Sequence, residues 1–249
     1  MATREEMSRS FGSAASVYES GRPEYPADPV GWLLAPARRD GHSLRVADVG
    51  AGTGKLTRAI VEAGAEVVAI DPDAEMLGVL RENVRRVPTF VGTAESLPLP
   101  DASLDAVVLG QAWHWVDPVP ASAEVARVLR PGGVLGLIWN VRDDDEPWVR
   151  RLTAIMHGSR AEEMMAEGDP TVAEPFTGVE ARSWRWTRPM TRDALFDMAR
   201  SRSYIITAPP EERDRIEEGL AELFDELGAV GDATVDLPYV TRAYRAVRP

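Results

Sequence analysis

Val46-Ala-Asp-Val-Gly-Ala-Gly-Thr-Gly-Lys-Leu-Thr-Arg-Ala-Ile60 is the stretch that decides how this chain folds. It begins within an apolar run, 44–49, which predicts a short buried strand, and it ends in the pattern of an amphipathic helix. Gly50, Gly52 and Gly54 lie between the two. Glycines at such a turn let the backbone approach a ligand closely, because no Cβ stands in the way. The N-terminus of the following helix favours an anionic group.

A carboxylate follows at the end of the next apolar run. Residues 67–70 read Val-Val-Ala-Ile, and Asp71 comes directly after them, twenty-one residues beyond Gly50. An acidic side chain at the tip of the second strand of a βαβ unit is placed to bind the hydroxyls of a ribose. The two features together predict a site for a nucleoside cofactor.

The spacing of the glycines distinguishes between cofactors. A dinucleotide site requires G-x-G-x-x-G, whereas this chain has G-x-G-x-G with Lys55 at the third-glycine position, which weakens an NAD assignment. A phosphate loop, G-x-x-x-x-G-K-[ST], also fails. Val49 stands where its first glycine belongs, and Leu56 stands where its Mg²⁺-binding hydroxyl belongs.

The segment D-V-G-x-G-x-G, which starts at Asp48, resembles the first motif of the class I S-adenosylmethionine (SAM) methyltransferases of the type 11-like group. Further segments resemble that family's later motifs in order. They are Ala69-Ile-Asp-Pro-Asp-Ala-Glu-Met-Leu77, Val91-Gly-Thr-Ala-Glu-Ser-Leu-Pro98, Leu104-Asp-Ala-Val-Val-Leu109 and Leu129-Arg-Pro-Gly-Gly-Val-Leu-Gly-Leu-Ile138. One departure is Thr93, which stands where the family often has an aspartate that contacts adenine.

The resemblance implies an α/β fold, a doubly wound Rossmann-like sheet of seven mostly parallel strands with an antiparallel last strand. It implies one domain over 1–249, with an N-terminal lid and helix at 1–40, a SAM-binding core at 41–140, substrate-side insertions at 141–232 and a C-terminal strand at 233–249. It also implies SAM as cofactor and S-adenosylhomocysteine as product. The implied cofactor-binding residues are Asp48, Gly50, Ala51, Gly52, Thr53, Asp71, Pro72, Met76, Thr93, Ala94, Glu95 and Gln111, with Tyr18 and Arg22 from the lid.

The hydrophobic pattern gives the layout in more detail. Strands are expected at 44–49, 66–71, 88–91, 104–110, 133–139 and 179–187, with paired edge strands at 233–247. Helices are expected at 27–39, 54–63, 73–86, 118–130, 143–156, 191–200 and 210–228, and residues 158–178 are expected to be irregular. Strands that alternate with helices predict a parallel sheet with right-handed crossovers.

Two further segments are candidates for contact with a substrate. The segment 11–26 holds Arg22-Pro-Glu-Tyr25-Pro, which resembles the N-terminal lid of the small-molecule branch that includes trans-aconitate methyltransferase. Trp113-His-Trp115 follows the fourth strand, at the edge of the sheet where open α/β folds bind ligands. His114 is the candidate catalytic residue, as a base or as a group that orients the acceptor. Tyr25, Trp113 and Trp115 are candidate substrate contacts, and the alternative is that the tryptophans only pack.

A third candidate is the arginine-rich insertion after the fifth strand. Guanidinium groups suit bidentate binding of carboxylates, although most arginines of a chain are solvated or ion-paired. The candidates here are Arg142, Arg182, Arg188, Arg200 and Arg202, together with Tyr204 as a substrate contact. Asp143-Asp-Asp-Glu146 is interpreted as a solvated helix start, and no metal is expected.

The amino-acid composition restricts the kinds of molecule that this protein is expected to bind. The net charge of −12 opposes binding to nucleic acid, and all of the 28 basic residues except Lys55 are arginine. No cysteine is present, and no apolar run reaches membrane-spanning length. We expect a cytoplasmic monomer or homodimer that methylates a carboxylate or hydroxyl of a small molecule, without nucleic acid or membrane. The alternatives are a SAM-binding module without transfer activity and a methyltransferase that acts on protein or nucleic acid.

Overall fold

A computed structural model describes residues 21–156, 162, 164–165, 168–202, 205 and 208–249. Its centre is one seven-stranded sheet in the order β3-β2-β1-β4-β5-β7-β6. The strands are β1 Arg45–Val49, β2 Glu66–Asp71, β3 Thr89–Val91, β4 Leu104–Gly110, β5 Leu129–Arg142, β6 Glu180–Thr191 and β7 Thr234–Val247. Strands β1 to β5 pair in parallel, and β7 runs antiparallel between β5 and β6. The predicted Rossmann-like α/β fold class, with its antiparallel last strand, is confirmed.

Seven α-helices accompany the sheet in the described part of the chain. They are α1 Ala27–Leu34, α2 Lys55–Glu62, α3 Ala74–Asn83, α4 Pro118–Val128, α5 Pro147–Met156, α6 Arg192–Arg200 and α7 Pro210–Glu226. Local sequence accounts for several helix starts. The carboxylate of Asp73 accepts hydrogen bonds from Glu75 N and Met76 N, and Thr191 Oγ1 accepts one from Ala194 N. Such side-chain caps satisfy backbone donors that a helix cannot satisfy itself.

Several bounds differ from the sequence-based expectation; for example, α1 ends at Leu34 rather than at 39, and β6 extends to Thr191 rather than to 187. Helix α5 begins at Pro147 rather than at 143, because proline suits the first helical position but disfavours a helical conformation in the residue before it. Strand β5 extends to Arg142 because it pairs along its whole second half with β7. Residues 234–247, expected as paired edge strands, form one strand that lies inside the sheet.

Apolar side chains cover both faces of the sheet. On one face, α1 and α2 pack on β1, β4 and β5 through Leu33, Leu34 and Ile60, while α4 packs on the opposite face through Val125. A further cluster, which we call the insertion core, joins helices α5, α6 and α7 to β6 and β7. Its buried members are Val149, Leu152, Met156, Met190, Leu195, Met198, Ala199, Ile205, Ile216, Leu220, Leu223, Phe224, Ala229, Leu237 and Tyr239. Within the described residues, no helix is both long and apolar enough to cross a membrane.

Candidate active site

The turn between β1 and α2 is built from glycines with positive φ. Gly50 has φ +70°, and a Cβ placed there would lie 2.6 Å from the Cβ of Ala112. The amides of Gly50 and Ala51 both donate to Ile70 O, at 2.8 and 3.1 Å. Position 50 therefore requires glycine for two separate reasons, backbone conformation and contact with the segment after β4.

Asp71 connects the tip of β2 to this turn. Its Oδ2 accepts a hydrogen bond from Gly52 N and its Oδ1 accepts one from Asp73 N, both at 2.8 Å. The side chain is buried, and burial raises the pKa of Asp71 to about 6, although both backbone hydrogen bonds act to lower it. Each carboxylate oxygen has a second lone pair available for a ligand hydroxyl.

Asp48 lies beneath the turn and does not line the cleft described below. Its Oδ2 accepts a 2.6 Å hydrogen bond from Thr57 Oγ1, which fixes α2 against β1. Its Oδ1 is buried without a hydrogen-bond partner. Burial raises the pKa of Asp48 to about 7, the Thr57 hydrogen bond lowers it and nearby Asp71 raises it further. The geometry gives Asp48 a supporting position, while its predicted cofactor contact stays a prediction.

A cleft opens above the glycine turn, between the end of β4 and the segment 21–26, which we call the strap. Its lining residues are Arg22, Pro23, Tyr25, Gly50, Ala51, Gly52, Thr53, Lys55, Leu56, Gly110, Gln111 and Asn140. Seven residues predicted from the sequence meet here, namely Arg22, Tyr25, Gly50, Ala51, Gly52, Thr53 and Gln111. Thr53 Oγ1 is buried and has no hydrogen-bond partner among the described residues.

The strap is held in place by contacts with three residues that were not predicted as site residues. Lys55 Nζ donates to Glu24 Oε1 at 2.6 Å, and Arg58 Nη1 reaches the same oxygen at 3.2 Å. Asn140 Nδ2, from β5, donates to Glu24 O at 3.1 Å. The available signals were that Lys55 is the sole lysine and that Asn140 is an amide within an apolar strand.

The predicted adenine contacts lie beside the tip of β2. Met76 and Ala94 are buried, Thr93 is exposed, and Gly92 N donates to Asp71 O at 3.3 Å. The carboxylate of Glu95 accepts a hydrogen bond from Asp117 N at 2.9 Å. Pro72 follows Asp71 directly. None of these side chains lines the described cleft. Their assignment to adenine stays a prediction.

His114 lies in a single 3₁₀ turn, Trp113–Trp115, after β4. Trp113 is a core residue whose Nε1 donates to Thr171 O at 2.9 Å, and the ring of Trp115 lies 5.0 Å from that of His114. Trp139 Nε1 donates to His114 Nδ1 at 3.4 Å. His114, Trp113 and Trp115 do not line the described cleft.

Tyr18 and Tyr204, the remaining predicted contacts, lie outside the described residues, as does the lid segment before residue 21.

The insertion arginines have different surroundings. Arg200 pairs with Glu217 at the surface, Arg182 lies over the Trp184 ring, and Arg188 Nη1 donates to Gly21 O. Arg142 and Arg202 are buried.

In the described part of the chain, the one group of three possible metal ligands is Asp143, Asp144 and Asp145. Arg185 contacts the first and the last of them, so one guanidinium already offsets part of the negative charge of this cluster.

Comparisons with known proteins agree with this geometry. Residues 47–137 match the family model described as a methyltransferase domain. An uncharacterized methyltransferase of Mycobacterium tuberculosis is 48% identical over 250 residues, 98% of each chain. The malonyl-[acyl-carrier protein] O-methyltransferase of Pectobacterium atrosepticum is 38% identical over 136 residues, 53% of this chain and 52% of that one. A structure from Anaeromyxobacter dehalogenans, described as a type II methyltransferase, aligns with a TM-score of 0.66 and 26% identity over 91% of this chain and 97% of its own.

The relative at 48% identity spans nearly the whole chain, and the domain match covers the glycine turn, Asp71 and the fourth strand. Both agree with the position of the cleft at the carboxyl ends of the parallel strands, where open α/β sheets bind ligands. The chain belongs to the methyltransferase family.

Proposed function

We propose that the protein transfers a methyl group from SAM to an oxygen of a small-molecule acceptor. The observation that carries the proposal is the hydrogen bond from Gly52 N to Asp71 Oδ2, which joins the ribose-type carboxylate at the tip of β2 to the glycine turn that lines the cleft. SAM supplies a methyl group already activated on a sulfonium, so the chain has to position two reactants rather than form a covalent intermediate.

The residues that line the cleft, together with Asp71 beside it, fit this cofactor. Asp71 would hold the ribose hydroxyls, and the orphaned Thr53 Oγ1 offers a hydroxyl to a polar ligand. The cations of Lys55 and Arg22 line the same cleft, where the methionine carboxylate would be attracted to them. The glycine turn brings backbone within reach of the ligand, because no Cβ projects into the cleft at Gly50 or Gly52.

His114 supplies a hydrogen-bond donor in this scheme. Its Nδ1 accepts from Trp139, so in the neutral imidazole the proton lies on Nε2. An Nε2–H can donate to a carbonyl or carboxylate oxygen of the acceptor, but it cannot accept a proton at that atom. We therefore assign His114 to orientation of the acceptor. Tyr25 and the strap would exclude water from the reacting atoms.

Two observations support the choice of acceptor. The Pectobacterium relative carries O-methyltransferase in its name and shares about half of each chain, which favours oxygen as the acceptor atom. The strap borders the cleft, and a narrow cleft bordered on this side favours a small molecule over a folded protein or a duplex. The net charge of −12 also opposes nucleic acid.

Calorimetry followed by a transfer assay tests the proposal. The protein should bind SAM and S-adenosylhomocysteine in the micromolar range and should not bind NADH. With methyl-labelled SAM, a panel of small acids and phenols should yield a labelled ester or ether, while DNA and a peptide mixture should remain unlabelled. Binding of SAM with no transfer to any small molecule would favour a cofactor-binding module, and tight NADH binding without SAM binding would refute the assignment.

A further inference from the structure

Arg202 is a buried cation without a counter-charge among the described residues. It follows α6, and only 6% of its surface is exposed. Its Nε is buried without a hydrogen-bond partner, and its Nη2 lies 3.8 Å from Met198 Sδ. Arg142, the other buried arginine, is different, because its Nη2 contacts both carboxylate oxygens of Glu162 at 2.9 and 3.2 Å.

Burial of an unpaired guanidinium opposes folding. Water solvates the charge strongly in the unfolded chain, and a thioether is a weak substitute for that solvation. Such a group is favourable in the folded protein when a ligand of opposite charge pairs with it. A carboxylate does this by accepting two hydrogen bonds from the guanidinium. The surroundings of Arg202 therefore indicate that an anion belongs beside it.

A second orphaned polar group lies in the insertion core, which Arg202 contacts through Met198. Tyr239 is 1% exposed, and its hydroxyl has no hydrogen-bond partner. Its ring stacks on Trp186 with centroids 5.0 Å apart. Met198, which touches Arg202, and Tyr239 belong to one apolar cluster. Each of these two groups, incomplete within apolar surroundings, can bind a polar atom of a ligand.

Contacts connect this region to the cofactor cleft along two routes. On one, a Cβ placed at Gly21 would lie 2.7 Å from Ser201 Oγ, so the residue before Arg202 packs against the residue before Arg22. On the other, the indole that stacks on Tyr239 donates to Thr241 Oγ1 at 2.9 Å. That hydroxyl donates to Asn140 Oδ1 at 2.6 Å, and Asn140 lines the cleft.

We propose that Arg202 binds a carboxylate of the methyl acceptor that is not itself methylated, and that the Tyr239 hydroxyl is the second polar group of this subsite. This inference rests on the proposed function and narrows the acceptor to an acid with a second nucleophilic oxygen. A carboxylate paired with a guanidinium is a weak nucleophile, because its electron density is engaged in two charge-assisted hydrogen bonds. The Arg202 subsite therefore determines recognition, and the methyl group goes to a different oxygen.

Binding measurements on the full chain, saturated with S-adenosylhomocysteine, test the proposal. Succinate and benzoate serve as anionic probes, and succinamide and benzamide serve as their neutral counterparts. We expect saturable binding of at least one acid and of neither amide. Arg202→Met should weaken that acid at least 10-fold, Arg202→Lys should weaken it less, and affinity for S-adenosylhomocysteine should not change. Arg200→Met is the matched control, because Arg200 pairs with Glu217 at the surface, and it should not change acid binding.

Thermal unfolding of the ligand-free protein gives an independent readout. Arg202→Met replaces a buried unpaired charge with an apolar side chain, so its Tm should rise by about 2–4 °C. Absence of acid binding in the wild type, or unchanged acid binding in Arg202→Met, would overturn the proposal while leaving cofactor binding intact. Failure to bind S-adenosylhomocysteine would instead contradict the proposed function, so the two can fail separately.

Discussion

The indole Nε1 of Trp139 lies 3.4 Å from Nδ1 of His114 and donates to it. Trp139 is fully buried in β5, so it holds the imidazole from the side of the core. An acceptor role for Nδ1 places the proton of the neutral ring on Nε2. With its proton on Nε2, His114 presents a hydrogen-bond donor rather than a base at that atom. This favours orientation of the acceptor over the alternative of a catalytic base.

Substitution of His114 distinguishes the two roles. His114→Ala should lower kcat/KM for the acceptor about 10-fold, the effect of one lost hydrogen bond, because the rest of the site remains. A general base would cost roughly 10²–10⁴-fold. His114→Gln should recover much of the activity, since an amide donates without transferring a proton. Steady-state kinetics with saturating SAM measures this, and a loss beyond 10²-fold that glutamine fails to rescue would contradict the orientation role.

Asp71 should make cofactor binding depend on pH. Because burial raises its pKa to about 6, the carboxylate is largely protonated at pH 5 and ionised at pH 7.5. An ionised carboxylate accepts hydroxyl hydrogen bonds more strongly. Affinity for S-adenosylhomocysteine should therefore rise over this interval, and Asp71→Ala should lose about 2 kcal/mol of binding free energy at pH 7.5. Calorimetry at both pH values, with Asp71→Asn as the control that should flatten the profile, checks the expectation. A pH-independent wild type would contradict it.

Asp48 should make the folded state less stable as pH rises. Its pKa is about 7 in the fold and 3.8 in its ordinary state. The native state therefore binds more protons than the unfolded chain between these values, and the free energy of unfolding falls as pH increases from about 4 to about 7. Asp48→Asn resembles the protonated acid, so its Tm at pH 8 should exceed that of the wild type. Asp40→Asn, at an exposed position, should change nothing, and equal pH profiles for the Asp48 variant and the wild type would be evidence against the raised pKa.

Gly50 is expected to be irreplaceable for steric as well as conformational reasons. Gly50→Ala must bring its Cβ into the methyl group of Ala112, 2.6 Å away, at φ +70°. Gly64→Ala is a matched control, because Gly64 has φ +83° but no atom within 4 Å of a Cβ. Both variants should lose about 1 kcal/mol of unfolding free energy from the backbone strain alone. Only Gly50→Ala should also lose cofactor affinity, and equal affinities for the two would argue against the close approach.

The ion pair between Glu24 and Lys55 should hold the strap in place over the bound cofactor. Lys55 is nearly buried and Glu24 is half-exposed, so the ion pair is expected to contribute modestly, about 0.5–1 kcal/mol. Glu24→Gln, Lys55→Met and the double variant form a cycle in which affinity for S-adenosylhomocysteine is measured. A positive coupling energy is expected, and it should shrink in high salt because Glu24 is exposed. Strict additivity would mean that the pair does not act on the cofactor site.

Local patterns were sufficient for most of the fold. Strands β2 and β4 have the bounds expected from their apolar runs, because a buried parallel strand needs an uninterrupted apolar sequence. The hydrophobic pattern suggested paired edge strands at 233–247, whereas one strand forms at 234–247, because an alternation of buried and exposed residues does not reveal which neighbours pair with a strand. The domain boundaries and the assigned contacts of the candidate site residues stay predictions.

Residues close in the chain were enough to predict the glycine turn, the carboxylate at the tip of β2 and the alternation of strands and helices along the sequence. Which buried arginine pairs with a carboxylate depends on tertiary contacts, since among the described residues Arg142 meets Glu162 whereas Arg202 meets a methionine. The tertiary structure also places the indole N–H of Trp139, 25 residues away, beside Nδ1 of His114. The partners of a side chain and its burial depend on its neighbours in space. Those neighbours come from distant parts of the sequence, so local patterns do not reveal them.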